Sequence, residues 1–588
     1  MPCTNFVTRL IHDIVKKKYH VPHTEKVEEV VDAFSMTAKT VLWFFVILFI
    51  ASGLYLLYKV NTAYLVEVPA SGGELVEGVI GLPRFINPVL SVTDAGEDLT
   101  TLVYSGLYKE TPEGELAPDL AESYTVSEDG KVYTFILKDN IYFHDGEQVT
   151  VDDVEFTVQK AQDPELKSPQ RARWQGVTVE KIDTRTIQFS LKQPLATFLE
   201  STTMGILPKH IWKDVSGDEF TFSNYNIHAI GSGPYKIAKI KNNTGGIPTY
   251  YNLEAFNKYA GGKPLIEHIT MRFYPNETKL LEAYEKGEVD SINSISPEHA
   301  KYLEGKGVRI ERATLPRIFG VFFNQNNNSL FLNKEVKQAL DLAVNRNQII
   351  NDVLMGYGKA IQSPVPYTIF EPDIQIDSVS TSTPEQQAIV LLEKNGWTLN
   401  AAGVREKKTK NASIPLTFSL STSDAPELKA IALALSDAWK KIGATVDVKI
   451  YDIGDLNKSV IRPRKYDALL FGQIINSDLD LFAFWHSSQR NDPGLNIAMY
   501  TNATVDKLLE DARVLSNKNE RMEKYKKIEE EIKKDVPALF VYSPDFLYVV
   551  PKNIKGYLLG NIRDPKERFL SIEKRYIETD NVWKVFIN

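Results

Sequence analysis

One uncharged apolar stretch constrains this chain more than any other feature of its sequence. Residues 40–58, TVLWFFVILFIASGLYLLY, carry no charged side chain and lie between Lys39 and Lys59. Helical residues rise about 1.5 Å each, so this stretch comes close to the ~30 Å of a bilayer's hydrocarbon core. A buried helix of a soluble domain is the alternative, but the sequence offers no partner core around it. We therefore predict a transmembrane helix at Thr40–Tyr58.

The distribution of basic residues predicts the orientation of that helix. Five Lys or Arg residues precede Lys39, whereas none occurs in the 24 residues after Lys59. The positive-inside rule predicts a cytoplasmic segment at residues 1–39 and a large C-terminal domain outside the cell membrane. A signal peptide cleaved near Ala51-Ser52-Gly53 is the alternative. The long leader and the apolar residues that continue to Tyr58 favour an uncleaved, single-pass anchor.

Composition excludes several classes of protein. The only cysteine, Cys3, lies on the predicted cytoplasmic side, so the outer domain is expected to fold without disulfides. Beyond residue 60 the chain carries 61 Lys and Arg against 71 Asp and Glu, a balance that argues against nucleic-acid binding. The nine His residues lack metal-ligand spacing, and we find no catalytic motif. We predict no enzyme, no metal and no cofactor.

Two strand–helix–strand patterns predict the fold class. In the first, apolar residues alternate over 269–273, a helix begins at Asn276 and a strand follows from Val289. In the second, residues 416–420 alternate, a helical stripe covers 428–442, and 446–450 alternate again. Strands and helices in turn predict an α/β fold with mixed sheets and parallel pairs, whose ligands bind at the carboxyl ends of strands.

Two short motifs resemble functional loops but are predicted to be turns. His144-Asp145-Gly146 fits a turn in which the aspartate caps local amides and the glycine takes a positive φ. Gly231-Ser232-Gly233-Pro234 lacks the following helix with Lys-Ser/Thr that a phosphate-binding loop requires.

Several longer motifs, in this order and spacing, resemble one family. They are LAESYTVSEDGKVYTFILKDNIYFHDGEQVTVDDVEFTV from Leu120, IGSGPYKI from Ile230, FGVFFNQNN from Phe319, the Gly396-Trp397 pair and MYTNATVDKLLEDAR from Met499. Together they resemble family 5 of the extracellular solute-binding proteins, which deliver peptides, and in some branches nickel, to ABC importers. The resemblance covers residues 72–550.

This resemblance implies a bilobed, periplasmic-binding-protein-like fold that closes on its ligand about a hinge. It places lobe I at 74–314, completed by 539–588. Before this lobe, Pro69 and the Ser71-Gly72-Gly73 turn predict a linker at residues 59–73. Lobe II would occupy residues 315–538, and the chain would cross between the lobes at 319–324 and 537–542. A cleft lined from two sides buries most of a small ligand.

The resemblance also places ligand contacts in residues 471–500, which combine apolar, aromatic, amide and hydroxyl side chains. A packed strand and helix under a surface loop is the alternative for this stretch. The predicted ligand-binding residues are Asn324, Gln473, Asn476, Asp478, Asp480, Trp485, His486, Asn496 and Tyr500.

The chain departs from the family at one informative place. Peptide binders of this family often follow a Gly-Trp pair with an acidic residue that holds the ligand's ammonium group. This chain has Gly472-Gln473 and then Ile474-Ile475, and the nearest carboxylates belong to Asp478 and Asp480. Loss of a buried charge contact can weaken binding by about 2–5 kcal/mol. The motifs therefore indicate the family, but this strand does not indicate which substrate is bound.

We expect a membrane-anchored, extracytoplasmic binding protein with a monomeric outer domain. It would capture peptides or a similar polar ligand for an ABC permease and its ATPase. Three alternatives stay open: a sensor or surface-binding protein of the same fold without a permease, a binder of oligosaccharide, and a binder of a nickel chelate.

Overall fold

The computed structural model describes residues 29–195, 197–366, 383–410, 412–475, 480–515, 517–560 and 562–586. These residues form two compact units. Residues up to Pro69, together with the segment from Thr579, make the smaller unit, and Ala70–Glu578 make the larger one.

The smaller unit contains the apolar stretch. A helix covers Met36–Tyr64, begins at an N-cap from Ser35 and buries none of its residues. Within the described residues it is the one helix long and apolar enough to cross a membrane. The strand Leu65–Pro69 follows directly and pairs antiparallel with Thr579–Trp583. The segment predicted as a linker therefore contains the last helical turn and a paired strand.

The helices of the larger unit agree with the apolar periodicity of the sequence. Asn276 caps the helix of the first predicted unit, and Gly287 follows it with φ of 70°. Thr150 and Asp153 form a capping box at another helix start. The described helices are Asp94–Val103, Val151–Gln162, Arg171–Trp174, Phe198–Ser201, Lys209–Trp212, Gly217–Phe220, Glu277–Glu285, Pro297–Gly305, Lys334–Leu342, Arg346–Val353, Pro384–Lys394, Pro426–Lys441, Ile453–Asp455, Phe482–Trp485, Ala503–Val514 and Lys518–Asp535.

A twelve-stranded sheet runs through the larger unit. Its order is Thr445–Tyr451, Thr417–Ser423, Ala468–Ile474, Arg317–Phe323, Ala538–Val549, Ser291–Asn293, Glu74–Ile80, His268–Tyr274, Pro248–Ala255 and Tyr235–Asn242, with Ile310–Thr314 and Gly358–Ala360 also paired to Ala538–Val549. The smaller sheets use Tyr108–Glu110, Leu116–Pro118, Ala121–Val126, Val132–Leu137, Thr178–Lys181, Thr186–Ser190, Trp397–Leu399, Arg405–Lys408 and Ser413–Pro415.

Both predicted strand–helix–strand units lie in the large sheet. Thr417–Ser423 and Thr445–Tyr451 pair in parallel, and the helix Pro426–Lys441 connects them in the sequence. His268–Tyr274 and Ser291–Asn293 are both parallel to Glu74–Ile80, which lies between them. The predicted mixed α/β fold is therefore confirmed.

Side-chain packing separates two lobes within this sheet. The core of lobe I includes Leu315 and Phe546, whereas the cores of lobe II include Ile318 and Tyr542. The strand Ala538–Val549 pairs with Arg317–Phe323 up to Tyr542 and with Ile310–Thr314 from Asp545 onward. This single strand thus belongs to both lobes. Its packing changes from the lobe II core at Tyr542 to the lobe I core at Phe546.

A buried ion cluster ties the C-terminal part of the chain to lobe I. Arg568 donates to both carboxylate oxygens of Asp98, at 2.7 and 2.6 Å, and to Glu77 at 2.9 Å. All three side chains are almost completely buried, and Tyr548 donates to the other oxygen of Glu77 at 2.9 Å. Burial raises the pKa of Asp98 to about 6 even beside the guanidinium.

Candidate functional site

A cavity of about 270 Å³ lies between lobe I and one strand end of lobe II. Lobe I contributes the helix Asp94–Val103, the strand Tyr108–Glu110 and the C-terminal segment 563–573. Lobe II contributes Ile474 and Ile475, which end the strand Ala468–Ile474 and begin the next loop. The cavity therefore lies where a sheet of this class exposes the ends of its strands to a ligand.

One face of the helix Asp94–Val103 lines the cavity. Glu97, Thr100, Thr101 and Tyr104 all line it, and their spacing is that of a single helical face. The opposite face packs into the core of lobe I through Leu99 and its neighbours. This helix consequently presents a polar face to a half-open cavity.

The two turn motifs of the sequence support the end of this helix. A Cβ atom on Gly231 would lie 2.1 Å from the Val103 carbonyl oxygen, so only glycine allows this approach. The Gly233 amide donates to the same carbonyl at 2.8 Å. The His144 ring contacts both glycines, at 3.1 Å to the Gly233 carbonyl and 3.3 Å from the Gly231 amide. Both motifs are structural, as predicted, and they hold Tyr104 against the cavity.

The ring of His144 is held in its neutral form. Burial lowers its pKa to about 4, because the uncharged ring loses less hydration than the imidazolium would. Since one ring nitrogen accepts from Gly231, the other carries the proton that it donates to Gly233.

Four polar atoms beside the cavity have no hydrogen-bond partner in the described part of the chain. They are the hydroxyl oxygens of Ser91, Thr100 and Tyr104 and one carboxylate oxygen of Asp119. An unmade hydrogen bond at a buried polar atom costs about 1–3 kcal/mol, so such atoms are rare unless a partner is supplied. All four lie on one wall of the cavity, where a polar ligand would be in a position to supply the missing bonds.

Ion pairs form the rest of the wall. The Lys109 ammonium donates to Tyr259 at 3.0 Å and to Glu573 at 2.9 Å, and Lys566 donates to Glu97 at 2.8 Å. Arg563 pairs with Glu110. Altogether six carboxyl groups and four basic side chains line the cavity, so acidic groups are in excess.

Two of these carboxyl groups bind protons more tightly than exposed ones. Burial raises the pKa of Asp119, and the attraction of Lys109 offsets part of this effect. Burial also raises the pKa of Glu567 well above its ordinary value, and repulsion from Glu110 adds to the shift. An entering cation would favour the charged form of both groups, so this wall suits a positively charged part of a ligand.

The residues that the sequence singled out lie elsewhere in lobe II. Asn476 and Asp478 fall outside the described residues. None of the other seven, Asn324, Gln473, Asp480, Trp485, His486, Asn496 and Tyr500, lines this cavity in the described part of the chain. Their role in ligand binding stays a prediction, and the structure shows the surroundings of each side chain.

Two of these side chains are hydrogen-bonded to backbone groups of other lobe II residues. The Asn324 amide donates to the Arg464 carbonyl at 2.9 Å and accepts from the amides of Asn326 and Asn327. Asn496 donates to the His486 and Tyr500 carbonyls at 3.1 and 3.0 Å and accepts from the Tyr500 amide. Both asparagines therefore fix loop conformations.

The aromatic residues of this stretch pack in the core of lobe II. Trp485 is fully buried against Phe322, Tyr500 and Phe540. The Tyr500 hydroxyl donates to Asp535 at 2.7 Å. His486 stacks on the Phe482 ring with 4.0 Å between centroids. These contacts are those of packed interior residues, the alternative that the sequence left open.

Asp480 and Gln473 complete the set. Asp480 accepts from the Phe482 amide at the start of a helix and pairs with Arg513 at 2.8 Å. The Gln473 amide is buried, and neither of its polar atoms has a partner among the residues that the structure describes. Within the predicted set, Trp485 Nε1 and His486 Nε2 likewise lack a hydrogen-bond partner among the described residues.

The residues of the cavity wall escaped sequence reasoning for a definable reason. The polar face at 97, 100, 101 and 104 resembles the solvent face of any surface helix, and the residues opposite it come from 563–573, far along the chain. The only sequence feature that pointed to this wall was Tyr104, an aromatic residue at the end of the polar face. In the structure, Gly231 and Gly233 pack closely against Val103 and Tyr104.

No group of three or more His, Cys, Asp or Glu side chains suited to holding a metal ion occurs in the described ranges. The site instead consists of hydrogen-bonding groups and an acidic wall enclosed by two lobes. Fold and site together define a two-lobed solute-binding protein.

Comparison with known proteins identifies the family. Residues 115–494 match the model of the bacterial extracellular solute-binding proteins, family 5. The oligopeptide-binding protein AppA of Bacillus subtilis is 29% identical over 518 residues, which are 87% of this chain and 92% of AppA. The nickel-binding protein NikA of Staphylococcus aureus is 25% identical over 464 residues, 77% of this chain and 85% of NikA. The chain belongs to family 5 of the extracellular solute-binding proteins, as its motifs predicted.

Solved structures agree with this assignment. AppA of Bacillus subtilis in complex with a nonapeptide covers 87% of this chain and all of that one, with a TM-score of 0.66. The ABC transporter substrate-binding protein CtaP of Listeria monocytogenes is 28% identical and covers 86% of this chain and all of that one, with a TM-score of 0.72.

Proposed function

We propose that this protein captures peptides, or another small solute with a cationic end, outside the cell and delivers them to an ABC permease. One observation carries the proposal: unpartnered hydroxyl groups and an excess of buried carboxyl groups lie along a half-open cavity between two lobes. The similarity to an oligopeptide-binding protein supports the choice of peptide. In the proposed role the protein binds and releases its solute without changing it chemically.

The acidic wall takes the place of the acidic residue that the lobe II strand lacks. In this chain Ile474 and Ile475 present apolar side chains to the cavity, and Asp480 is paired with Arg513. The ammonium group of a peptide would therefore meet lobe I, where Asp119 and the carboxyl groups near Glu573 lie. The apolar Ile474 and Ile475 would contact the ligand's side chains from the other lobe.

The helix Met36–Tyr64 would keep the binding domain at the membrane. It has the length and composition of a span, buries no side chain, and follows a basic leader. Anchoring raises the local concentration of a binding protein near its permease without any new contact. The outer domain would work as a monomer, because both lobes that close on the ligand belong to one chain.

Identification of the bound solute tests this proposal directly. The full chain is purified in detergent without denaturation, and native mass spectrometry identifies what stays bound. Peptides with free and with acetylated N-termini are then titrated by calorimetry. We expect the free peptide to bind more tightly than its acetylated partner.

Two results would overturn the proposal. One is the absence of binding by any peptide of a mixed library. The other is equal affinity for free and acetylated peptides together with no effect of Asp119→Asn. A sugar or a nickel chelate recovered in place of peptide would identify the solute class and reject the peptide assignment.

A further inference from the structure

The C-terminal segment returns to the apolar helix. In the smaller unit, Leu65–Pro69 leads away from the end of the helix at Tyr64, and Thr579–Trp583 runs antiparallel to it. The register joins Pro69 to Thr579 and Leu65 to Trp583. The second strand therefore runs toward the helix, and the turn Lys584–Phe586 continues in that direction.

Trp583 fixes the position of this turn along the helix. Its indole nitrogen donates to the Asn61 side chain at 2.8 Å, and its ring stacks on Tyr64 with 6.4 Å between centroids. Asn61 lies three residues beyond Tyr58, the end of the predicted span, which is about 4.5 Å along a helix axis. The headgroup layer extends roughly 5–8 Å beyond the hydrocarbon core on each side. Trp583 would thus lie within that layer.

The turn has the exposure and composition of a membrane contact. Val585 and Phe586 are 79% and 75% exposed, and Trp583 is 45% exposed. Acidic residues occur only farther from the helix, at Glu67 and at Asp580, which pairs with Val68. From Trp583 to Phe586 the side chains are aromatic, apolar or basic. Tryptophan and basic residues are those enriched at the membrane interface.

We propose that Trp583–Phe586 binds the lipid headgroup layer beside the transmembrane helix and forms a second membrane contact. The proposal rests on the proposed anchoring by Met36–Tyr64, because Trp583 contacts Asn61 and Tyr64 near the end of that helix. Trp583 would lie at headgroup level, and Val585 and Phe586 would insert among the upper acyl carbons. Lys584 would stay near anionic phosphates.

Depth-dependent fluorescence quenching tests the proposal on the full chain. The protein with Cys3→Ser is given single cysteines by Phe586→Cys, Asp580→Cys or Leu48→Cys and labelled with a polarity-sensitive fluorophore. Each variant is reconstituted into phosphatidylglycerol–phosphatidylethanolamine vesicles with or without quencher-bearing lipids. The quencher is in the upper acyl chain for the labels at 586 and 580. For the label at 48, which lies about 15 Å inside the predicted span, it is near the end of the acyl chain. Iodide in the buffer measures exposure to water.

We expect the label at position 586 to be quenched several-fold more by lipid, and several-fold less by iodide, than the label at position 580. Val585→Asp should reduce the lipid quenching at 586, because a charge opposes insertion, and should leave the label at 580 unchanged. Equal iodide quenching at 586 and 580 would overturn the proposal.

The label at position 48 separates this proposal from that of the anchor. If 48 is quenched by lipid and 586 is not, the helix spans the membrane and the second contact does not exist. If 48 is not quenched, anchoring fails, and the contact at Trp583–Phe586 is rejected with it.

Discussion

The helix face that lines the cavity and the stretch from Asp480 to Tyr500 both carry carboxylate, hydroxyl and aromatic side chains. In lobe II, Asn496 and Tyr500 bind backbone carbonyls and Asp535, and Trp485 fills the core. In lobe I, the hydroxyl of Tyr104 and one oxygen of Asp119 have no partner among the described residues. The same residue types therefore stabilise the fold in one place and are available to a ligand in the other. Position beside the cavity, not composition, separates the two roles: Trp485 Nε1 and His486 Nε2 also lack a hydrogen-bond partner among the described residues, but neither residue lines the cavity.

The largest expected effect tests the lobe II side of this contrast. Trp485→Ala should lower the free energy of unfolding by about 3–5 kcal/mol, because it removes a fully buried side chain from three aromatic neighbours. Denaturant titration measures this change. Leu433→Ala, at a position 49% exposed in the same lobe, is the control and should cost about 0.5 kcal/mol or less. A stable Trp485→Ala protein with weakened peptide binding would show that Trp485 contacts the ligand and is not a core residue.

The next effect tests the acidic wall. Asp119→Asn should weaken binding of a peptide with a free N-terminus by about 2–3 kcal/mol, because it removes a buried charge opposite the ligand's ammonium. Stability should not fall, since burial already opposes the charge at Asp119. Calorimetry on the variant and on Asp506→Asn, a lobe II carboxylate outside the cavity, provides the matched comparison. Equal losses of affinity in both variants would contradict a specific role for lobe I.

Acid should act on lobe I through His144. Its pKa is about 4 in the folded protein against 6.5 for an ordinary histidine, so the unfolded chain binds the additional proton as pH falls. Stability from this group is complete above pH 6.5 and is lost as pH falls toward 4. We expect a loss of about 2 kcal/mol by about pH 5. In His144→Gln this part of the pH dependence should disappear, and an unchanged profile would show that other groups control it.

The smallest effect is the most specific. Tyr104→Phe removes one buried hydroxyl that lacks a partner in the described chain, so the ligand-free protein should be as stable as before or slightly more stable. Affinity for the ligand should fall by about 1 kcal/mol, because the ligand loses a hydrogen bond. Tyr466→Phe is the control, since that hydroxyl already donates to the Ile497 carbonyl at 2.6 Å. It should lower stability and leave affinity unchanged.

Patterns over neighbouring residues predicted the individual helices and strands. The helix after Asn276 and the strand–helix–strand unit over 417–451 were readable from periodicity and caps, because these depend on neighbouring residues. The order of family motifs predicted the two lobes. The cavity wall could not be read in this way, because residues 563–573 reach it only through pairings that span most of the chain. The pairing of Leu65–Pro69 with Thr579–Trp583 is equally non-local.

The ion cluster of Arg568 sets an order of events in the synthesis of this protein. Glu77 and Asp98 belong to the first strand and helix of lobe I, yet their guanidinium partner is 491 and 470 residues away. At roughly 5–20 residues per second, the two carboxylates wait on the order of a minute for it. Lobe II, which occupies a continuous segment between the two crossings, has all its residues before then. A chain truncated before Arg568 would leave two acidic groups in an apolar core. Truncation near the C-terminus should therefore prevent folding as completely as truncation in the middle of the chain.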